Sequence, residues 1–418
     1  MFTESPPATA DVVVIGAGLV GACCGYELAA RGLSVVVVER GSVAAGTTAA
    51  GEGNLLVSDK RPGPELDLAR LSLDLWRELP GLLAHDLRRD VDIELEDKGG
   101  LMVARTEAAA KALRALAADQ RAAGTEAEEV DADRLLDLEP HLTRDVAAAV
   151  WYPADAQVQP VLAATAILAA AAARGASVVP YTEVTGIGRT TDGLTVRTRT
   201  GSVSTPHVVV AAGPWSGRIA GFAGRTLPVE PRRGVILVTE PLPPIVRHKV
   251  YDAGYIAEVD SDETGLSAAA VVESTRSGTV LIGSTRERRG FGADIPVSVL
   301  RTLAAGALAL FPALGVAQAM RAYGGFRPYS PDHLPVIGPD PELPGLWYAS
   351  GHEGAGIGLA PATGRLIGEL VGGQTPSLDP APFAADRPGL SSPSDTDDPP
   401  ARRGRGTGSP SSGAEGIR

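Results

Sequence analysis

The pattern Gly16-x-Gly18-x-x-Gly21 falls directly behind a hydrophobic run at residues 11–15 and opens a helix-compatible stretch that lasts to about residue 31. Residues 33–39 follow, with four consecutive valines before Glu39. A β-branched run of this kind suits a strand buried on both faces of a parallel sheet, so the segment predicts one βαβ unit. Each glycine then has a task. Gly16 permits the tight turn, Gly18 lets a pyrophosphate approach the backbone, and Gly21 lets helix and strand pack closely. Leu19 and Val20 begin the helix, whose N-terminal N–H groups and partial positive charge face the phosphates. Glu39, eighteen residues after Gly21, can accept from adenosine ribose hydroxyls and would repel a 2′-phosphate. This fingerprint binds a dinucleotide without distinguishing FAD from NAD.

Composition narrows the partners. The 418-residue chain is 44% hydrophobic with a net charge of −12, which allows two interlocked domains and argues against a phosphate-backbone surface, since that needs clustered Lys and Arg. The basic clusters, Arg286, Arg288 and Arg289 and again Arg402, Arg403 and Arg405, are short and read as a solvated face or tail. The two cysteines are adjacent, Cys23 and Cys24. They can form neither a disulfide framework nor a spaced metal site, and read as small packing residues; a metal is not expected. No Lys or Arg precedes Arg31, so the basic region of a secretory signal is missing. The apolar stretch 161–173 is too short to span a bilayer. A cytoplasmic protein is expected.

Along the chain, residues 65–89 read as a helix interrupted at Pro80-Gly81, and residues 90–105 alternate like strands around Gly99-Gly100. Residues 106–122 and 161–173 predict Ala-rich helices, with strands at 177–179, 194–198 and 207–211. Short alternating segments from 227 to 284 suggest an antiparallel sheet. A helical region spans about 297–320, and a strand at 346–349 leads through a Gly-rich turn to a helix at about 360–372. Beyond residue 376 the chain is rich in Pro, Ser, Gly, Asp and Arg and predicts a disordered tail.

Three further segments go together. The first is Thr47-Thr48-Ala49-Ala50-Gly51-Glu52-Gly53-Asn54, shortly after Glu39-Arg40. The second is Val208-Val209-Val210-Ala211-Ala212-Gly213-Pro214-Trp215-Ser216, with Val184 upstream. The third is Gly351-His352-Glu353-Gly354-Ala355-Gly356-Ile357-Gly358-Leu359-Ala360-Pro361-Ala362-Thr363-Gly364. With the fingerprint, these make residues 10–375 resemble the D-amino-acid-oxidase-like flavoproteins, which include glycine oxidase, sarcosine oxidase and the β subunits of hydroxyproline and opine dehydrogenases. The resemblance implies FAD rather than NAD. It places Thr47, Thr48, Gly51, Glu52 and Gly53 around the pyrophosphate and ribityl chain, and Val184, Ala212, Gly213 and Trp215 at the adenine end. It puts His352, Glu353, Gly354, Ala355, Gly356, Ile357 and Gly358 at the flavin, with His352 contributing its backbone more than its ring. No cysteine stands in the C-terminal segments, so the FAD is expected to be non-covalent.

The implied fold is α/β, a Rossmann-like FAD-binding domain from residues 10–60, 151–219 and 321–375. A discontinuous second domain, residues 61–150 and 220–320, is built on a mostly antiparallel sheet. Residues 1–9 form a loose leader and 376–418 the tail. On the substrate side, Arg327 sits where the family places its carboxylate-binding arginine, and a guanidinium fork suits that task. Tyr255 resembles the tyrosine that covers the substrate in some members, with Tyr251 as an alternative. Gly354 replaces a bulkier side chain of some glycine-oxidase-like members, which implies a roomier pocket. The segments Gly51 to Leu56, Val271 to Arg276 and Leu281 to Glu287 look most like hydroxyproline or opine dehydrogenase β subunits, which work with companion electron-transfer subunits. The expected activity is oxidation of the C–N bond of a small amino or imino acid. A stand-alone glycine- or sarcosine-type oxidase, a nicotinamide-dependent reductase, or a flavin-containing relay or structural subunit without substrate chemistry are the alternatives.

Overall fold

The computed structural model describes residues 3–254 and 264–390. Its first sheet has six strands in the order Val336–Pro339, Leu346–Ser350, His207–Val210, Val12–Ile15, Val35–Val38 and Ser177–Val179. All neighbours are parallel except the Val336–Pro339 edge. The side-chain period of two explains why the valine runs are apolar throughout. Val12, Val14, Val35 and Val37 pack on the helices Leu19–Ala30, Pro64–Leu87, Pro160–Ala173 and Gly356–Val371. Val13, Ile15, Val36 and Val38 face the other way, onto a three-stranded sheet of Val184–Thr190, Gly193–Thr198 and Ser202–Thr205.

The second sheet has eight strands: Ala319–Tyr329, Glu230–Pro241, Thr279–Arg286, Ser267–Ser274, Lys249–Asp252, Gly100–Ala104, Ala148–Tyr152 and Glu128–Val130. It is antiparallel apart from the pairing of Lys249–Asp252 with Gly100–Ala104. Helix Val297–Leu310 packs on one face and helix Glu107–Ala122 on the other. The α/β class with a mostly antiparallel second sheet is therefore present.

Several elements differ from the sequence-based reading. Helix Pro64–Leu87 runs through Pro80-Gly81 unbroken. Leu66, Leu68, Leu73, Trp76, Leu79 and Leu83 are all buried along it, and that burial outweighs the roughly 3 kcal/mol that an interior proline costs. Only Gly100–Ala104 of the expected strands at 90–105 is a strand. Helix Val297–Leu310 ends early, and the chain then enters strand Ala319–Tyr329. That strand pairs along nearly its whole length with Glu230–Pro241, so Arg327 stands on the antiparallel sheet and not in the flavin segment 321–375. The final helix begins at Gly356, inside the Gly-rich stretch read as a turn.

The described residues toward both ends are also better tied than expected. Thr3 N–H donates to Val178 O (3.0 Å), and Ala10 N–H to Ser204 O (3.1 Å), so residues 3–10 line up against sheet strands instead of forming a loose leader. Residues 376–390 pack as well. Phe383 is 1% exposed and joins the helical core. The Arg387 fork closes on Asp332 at 2.6 and 2.9 Å and donates to Leu334 O and Pro335 O. The polar composition of this stretch hides a few residues that carry its docking. Phe383→Ala should therefore cost about 3–5 kcal/mol, as for other fully buried aromatics. A denaturant titration checks this, and an unchanged midpoint would show that the segment adds nothing.

Candidate active site

A cavity of about 830 Å³ opens at the carboxyl ends of the parallel strands, where open α/β sheets bind ligands. The three glycines separate into two roles. Gly16 has φ +113°, and a Cβ there would lie 2.4 Å from Ala211 O; a Cβ on Gly21 would lie 1.9 Å from Gly16 O. These two hold turn, helix and strand together, and Gly21 lies behind the wall. Gly18 is on the wall, and a Cβ there would meet only Thr48 Oγ1 at 3.1 Å. Leu19 and Val20 adjoin it, with Leu19 N–H donating to Thr48 Oγ1 at 3.0 Å. Glu39 accepts from Ala17 N–H and Gly41 N–H, both at 3.0 Å, which fixes its carboxylate at the mouth of the βαβ unit.

Loops from distant parts of the chain complete the wall. Arg40 lies 3.8 Å over the Trp215 ring, a cation–π contact, and both line the cavity with Val184, Ala212 and Gly213. Thr47 Oγ1 donates to Phe326 O at 2.6 Å, tying the pyrophosphate-side loop to the antiparallel sheet. Gly51 is on the wall beside Ile357, whose Cδ1 would lie 2.4 Å from a Cβ. Gly53, with φ +97°, lies behind it against Val158 O. Glu52, His352, Glu353, Gly354, Gly356 and Ile357 line the cavity, whereas Ala355 and Gly358 are set back from it.

Arg327 reaches the same cavity from the antiparallel sheet. Its Nη1 donates to Thr285 O (2.8 Å) and its Nη2 to Ser284 Oγ (2.7 Å), which sets the plane of the guanidinium. Glycines make its room. A Cβ on Gly234 would strike Nη1 at 2.2 Å, and one on Gly354 would sit 3.4 Å from Nε. Tyr255 lies outside the described residues. Its alternative, Tyr251, is fully buried and donates to Ser58 Oγ, away from the cavity.

Residues 11–370 match the family described as DAO, FAD dependent oxidoreductase. The glycine oxidase of Geobacillus kaustophilus is 30% identical over 382 residues, covering 90% of this chain and 97% of that protein; its crystal structure superposes with a TM-score of 0.83 over 91% of this chain and 99% of its own. Hydrogen cyanide synthase subunit HcnC of Pseudomonas aeruginosa is 31% identical over 424 residues, covering 91% and 96%. The structure of L-proline dehydrogenase from P. horikoshii has a TM-score of 0.81 at 25% identity, covering 91% and 98%. The chain belongs to the DAO family of FAD-dependent oxidoreductases.

The residues present fit FAD. The open face at Gly18, the start of helix Leu19–Ala30, whose N-cap Gly18 has no side chain to cap it, and the paired Glu39 suit a pyrophosphate and adenosine ribose, and the start of helix Gly356–Val371 faces the other end of the cavity. Helix N-termini favour negative charge. No cysteine is among the described wall residues; Cys23 and Cys24 are packed in the helical core, which leaves the flavin without a thioether partner here. No helix among the described residues is long and apolar enough to cross a membrane.

The two acid–base side chains of the flavin loop are occupied. The His352 ring is buried with Nε2 2.9 Å from Thr363 Oγ1, and burial pulls its pKa down to about 3. It is a neutral packing group. Glu353 is buried against Arg232 (2.5 Å), Arg286 (3.9 Å) and His333 (3.3 Å). Arg286, first read as part of a solvated cluster, is thus an interior residue, 2% exposed. Burial pushes the Glu353 carboxyl up, but the hydrogen bond with His333 and the charges of Arg286 and Arg232 prevail and hold it at about 2 against an ordinary value of 4.5. A depressed carboxyl contributes stability above its unfolded pKa, which is lost as pH falls through the folded one; the amount here is roughly 3 kcal/mol. The stability gap between the native protein and Glu353→Gln should accordingly shrink between about pH 5 and pH 2. Denaturant titrations at both ends of that window test this, and a constant gap would contradict it.

The sequence reading missed Asn54, Ile236, Arg321, Tyr323 and Phe326 as wall residues. Asn54 was in plain view beside Glu52. The other four come from two paired strands whose register no local motif announces.

Proposed function

We propose that this chain oxidises the Cα–N bond of a small amino or imino acid, with Arg327 holding the substrate carboxylate. The observation that carries this is the Arg327 guanidinium, oriented by Ser284 and Thr285 on a wall of the FAD cavity. Bound FAD supplies the two-electron acceptor. The protein's own part is to bind, orient and exclude water. A planar fork grips a carboxylate through two charge-assisted bonds and so fixes the direction of the Cα–H bond. The activities that glycine oxidase and L-proline dehydrogenase are named for support an amino- or imino-acid substrate. The missing side chain at Gly354, directly beside Arg327, supports one larger than glycine.

The 31% identity to HcnC, itself a synthase subunit, supports a role as the flavin-bearing partner of an electron-transfer subunit. A relay subunit without substrate chemistry would have no use for a positioned arginine in a cavity of this size. The test is anaerobic mixing of the FAD-loaded protein with a panel of amino, imino and N-alkyl amino acids. Bleaching of the flavin spectrum by at least one member is expected, and oxygen uptake with that compound separates an oxidase from a dehydrogenase. No bleaching by any member would overturn the assignment in favour of a relay.

A further inference from the structure

Amino acids enter solution as ammonium carboxylates, yet the amine must be neutral before a hydride can leave Cα. A site that oxidises them therefore gains from an acceptor for one N–H proton. Four carboxylates line the described part of the cavity. Glu39 is held by two backbone N–H groups, Glu353 by Arg232, and Glu183 by Arg199 at 2.8 Å. Glu52 differs. Its Oε2 accepts from Asn54 Nδ2 at 3.0 Å, while its Oε1 is buried with no hydrogen-bond partner among the described residues. A buried carboxylate oxygen without a donor is costly in an isolated protein, and a bound cation would supply the donor.

The surroundings fix that carboxylate in place. Asn54 Oδ1 accepts from Lys249 Nζ at 2.7 Å, and Lys249 lies 3.5 Å from the fully buried Glu273. Because Lys249 takes the amide oxygen, Asn54 must present its NH₂ to Glu52. The carboxylate lies over Gly283, where a Cβ would come within 2.3 Å of Oε1. The next residue, Ser284, is the one that holds Arg327. Two consecutive residues of strand Thr279–Arg286 thus neighbour an acid and the arginine fork, both of which line the cavity.

Resting on the amino-acid reading above, we propose that Glu52 receives the substrate's ammonium group opposite Arg327 and takes its proton. In that step the N–H bond breaks, its electron pair stays on nitrogen as the lone pair, and an O–H bond forms at Glu52. No electron is transferred. Asn54 and Lys249 are positioning residues that hold the acceptor. The pair Arg327 and Glu52 selects ligands that carry a carboxylate and a cationic amine on the same carbon.

Two probes of nearly equal shape test this: 2-aminoisobutyrate, and pivalate, in which a methyl replaces the ammonium. Neither has a Cα–H, so neither can be oxidised, and binding is read from the perturbed flavin spectrum of the FAD-loaded protein. The native protein should prefer 2-aminoisobutyrate by about tenfold or more, the worth of one charge-assisted contact. Glu52→Gln, which keeps the Asn54 bond, should remove that preference without weakening pivalate binding, and Glu52→Asp should retain part of it. Arg327→Ala should weaken both probes. If Glu52→Gln keeps the preference, the proposal falls, and lowered FAD retention in that variant would reassign Glu52 to the cofactor. If neither probe binds the native protein, the amino-acid reading itself fails, which is a different result.

Discussion

Gly18→Val should give a folded, colourless protein, whereas Gly21→Val should give little folded protein at all. Both glycines belong to one fingerprint, but their surroundings differ. Gly18 has φ −74° and ψ −179°, a conformation open to a β-branched residue. Its added Cβ would meet only the movable Thr48 hydroxyl, at 3.1 Å. Nothing in the fold forbids the substitution, and the branched side chain would fill the space where a pyrophosphate must approach the backbone. Affinity for FAD should fall by about a hundredfold or more, equivalent to roughly 3 kcal/mol. At Gly21 the Cβ would lie 1.9 Å from the Gly16 carbonyl oxygen, a backbone atom that cannot move without separating helix from strand. The measurements are flavin content, reconstitution with added FAD, and thermal melting. Gly18→Val should melt like the FAD-free native protein, because only the stabilisation that ligand binding adds has been lost. Normal flavin content in Gly18→Val would show that phosphate does not approach there.

Local signals carried much of this architecture. The valine runs Val35–Val38 and Val12–Ile15 announce a doubly covered parallel sheet because both of their faces are buried, and the glycine spacing announces what binds at its edge. Arg327 was legible as a site residue, but its place on the antiparallel sheet was not. Strand Ala319–Tyr329 contains Gly324, Gly325 and Pro328 and lacks clean alternation, so its strand character comes from pairing with Glu230–Pro241. That is a long-range property no window of sequence contains. The same holds for the helix that continues through Pro80, where packing overrides propensity. It holds again for Phe383 and Arg387, whose value depends on partners some fifty or more residues away, such as Asp332. Glu52 was counted with the cofactor loop for its position in a motif. Only the fold shows that it shares the cavity wall with Arg327.

Arg327→Ala should keep its FAD and lose most of its catalytic efficiency. The guanidinium is on the cavity wall, oriented through Ser284 Oγ and Thr285 O, and Gly234 and Gly354 clear the space around it. Removing one side of a buried charge-assisted pair costs roughly 2–5 kcal/mol, which corresponds to a loss of about 30- to 5000-fold in kcat/KM. Most of it should appear as a raised KM, or as slower flavin reduction at sub-saturating substrate, because a carboxylate grip acts from the moment of binding. Arg327→Lys should recover only part of the loss, since a single ammonium cannot reproduce the planar fork or both hydrogen bonds to the strand. A purely structural arginine predicts another pattern. Its loss would free Ser284 and Thr285 and lower the melting temperature or the flavin content, while the reduction rate of the folded, loaded fraction would depend on substrate concentration as before. Rapid mixing of substrate with FAD-loaded Arg327→Ala at a series of concentrations separates the two. An unchanged concentration dependence would remove Arg327 from the substrate side, and with it the reason to read the charge of Glu52 as facing an amino acid.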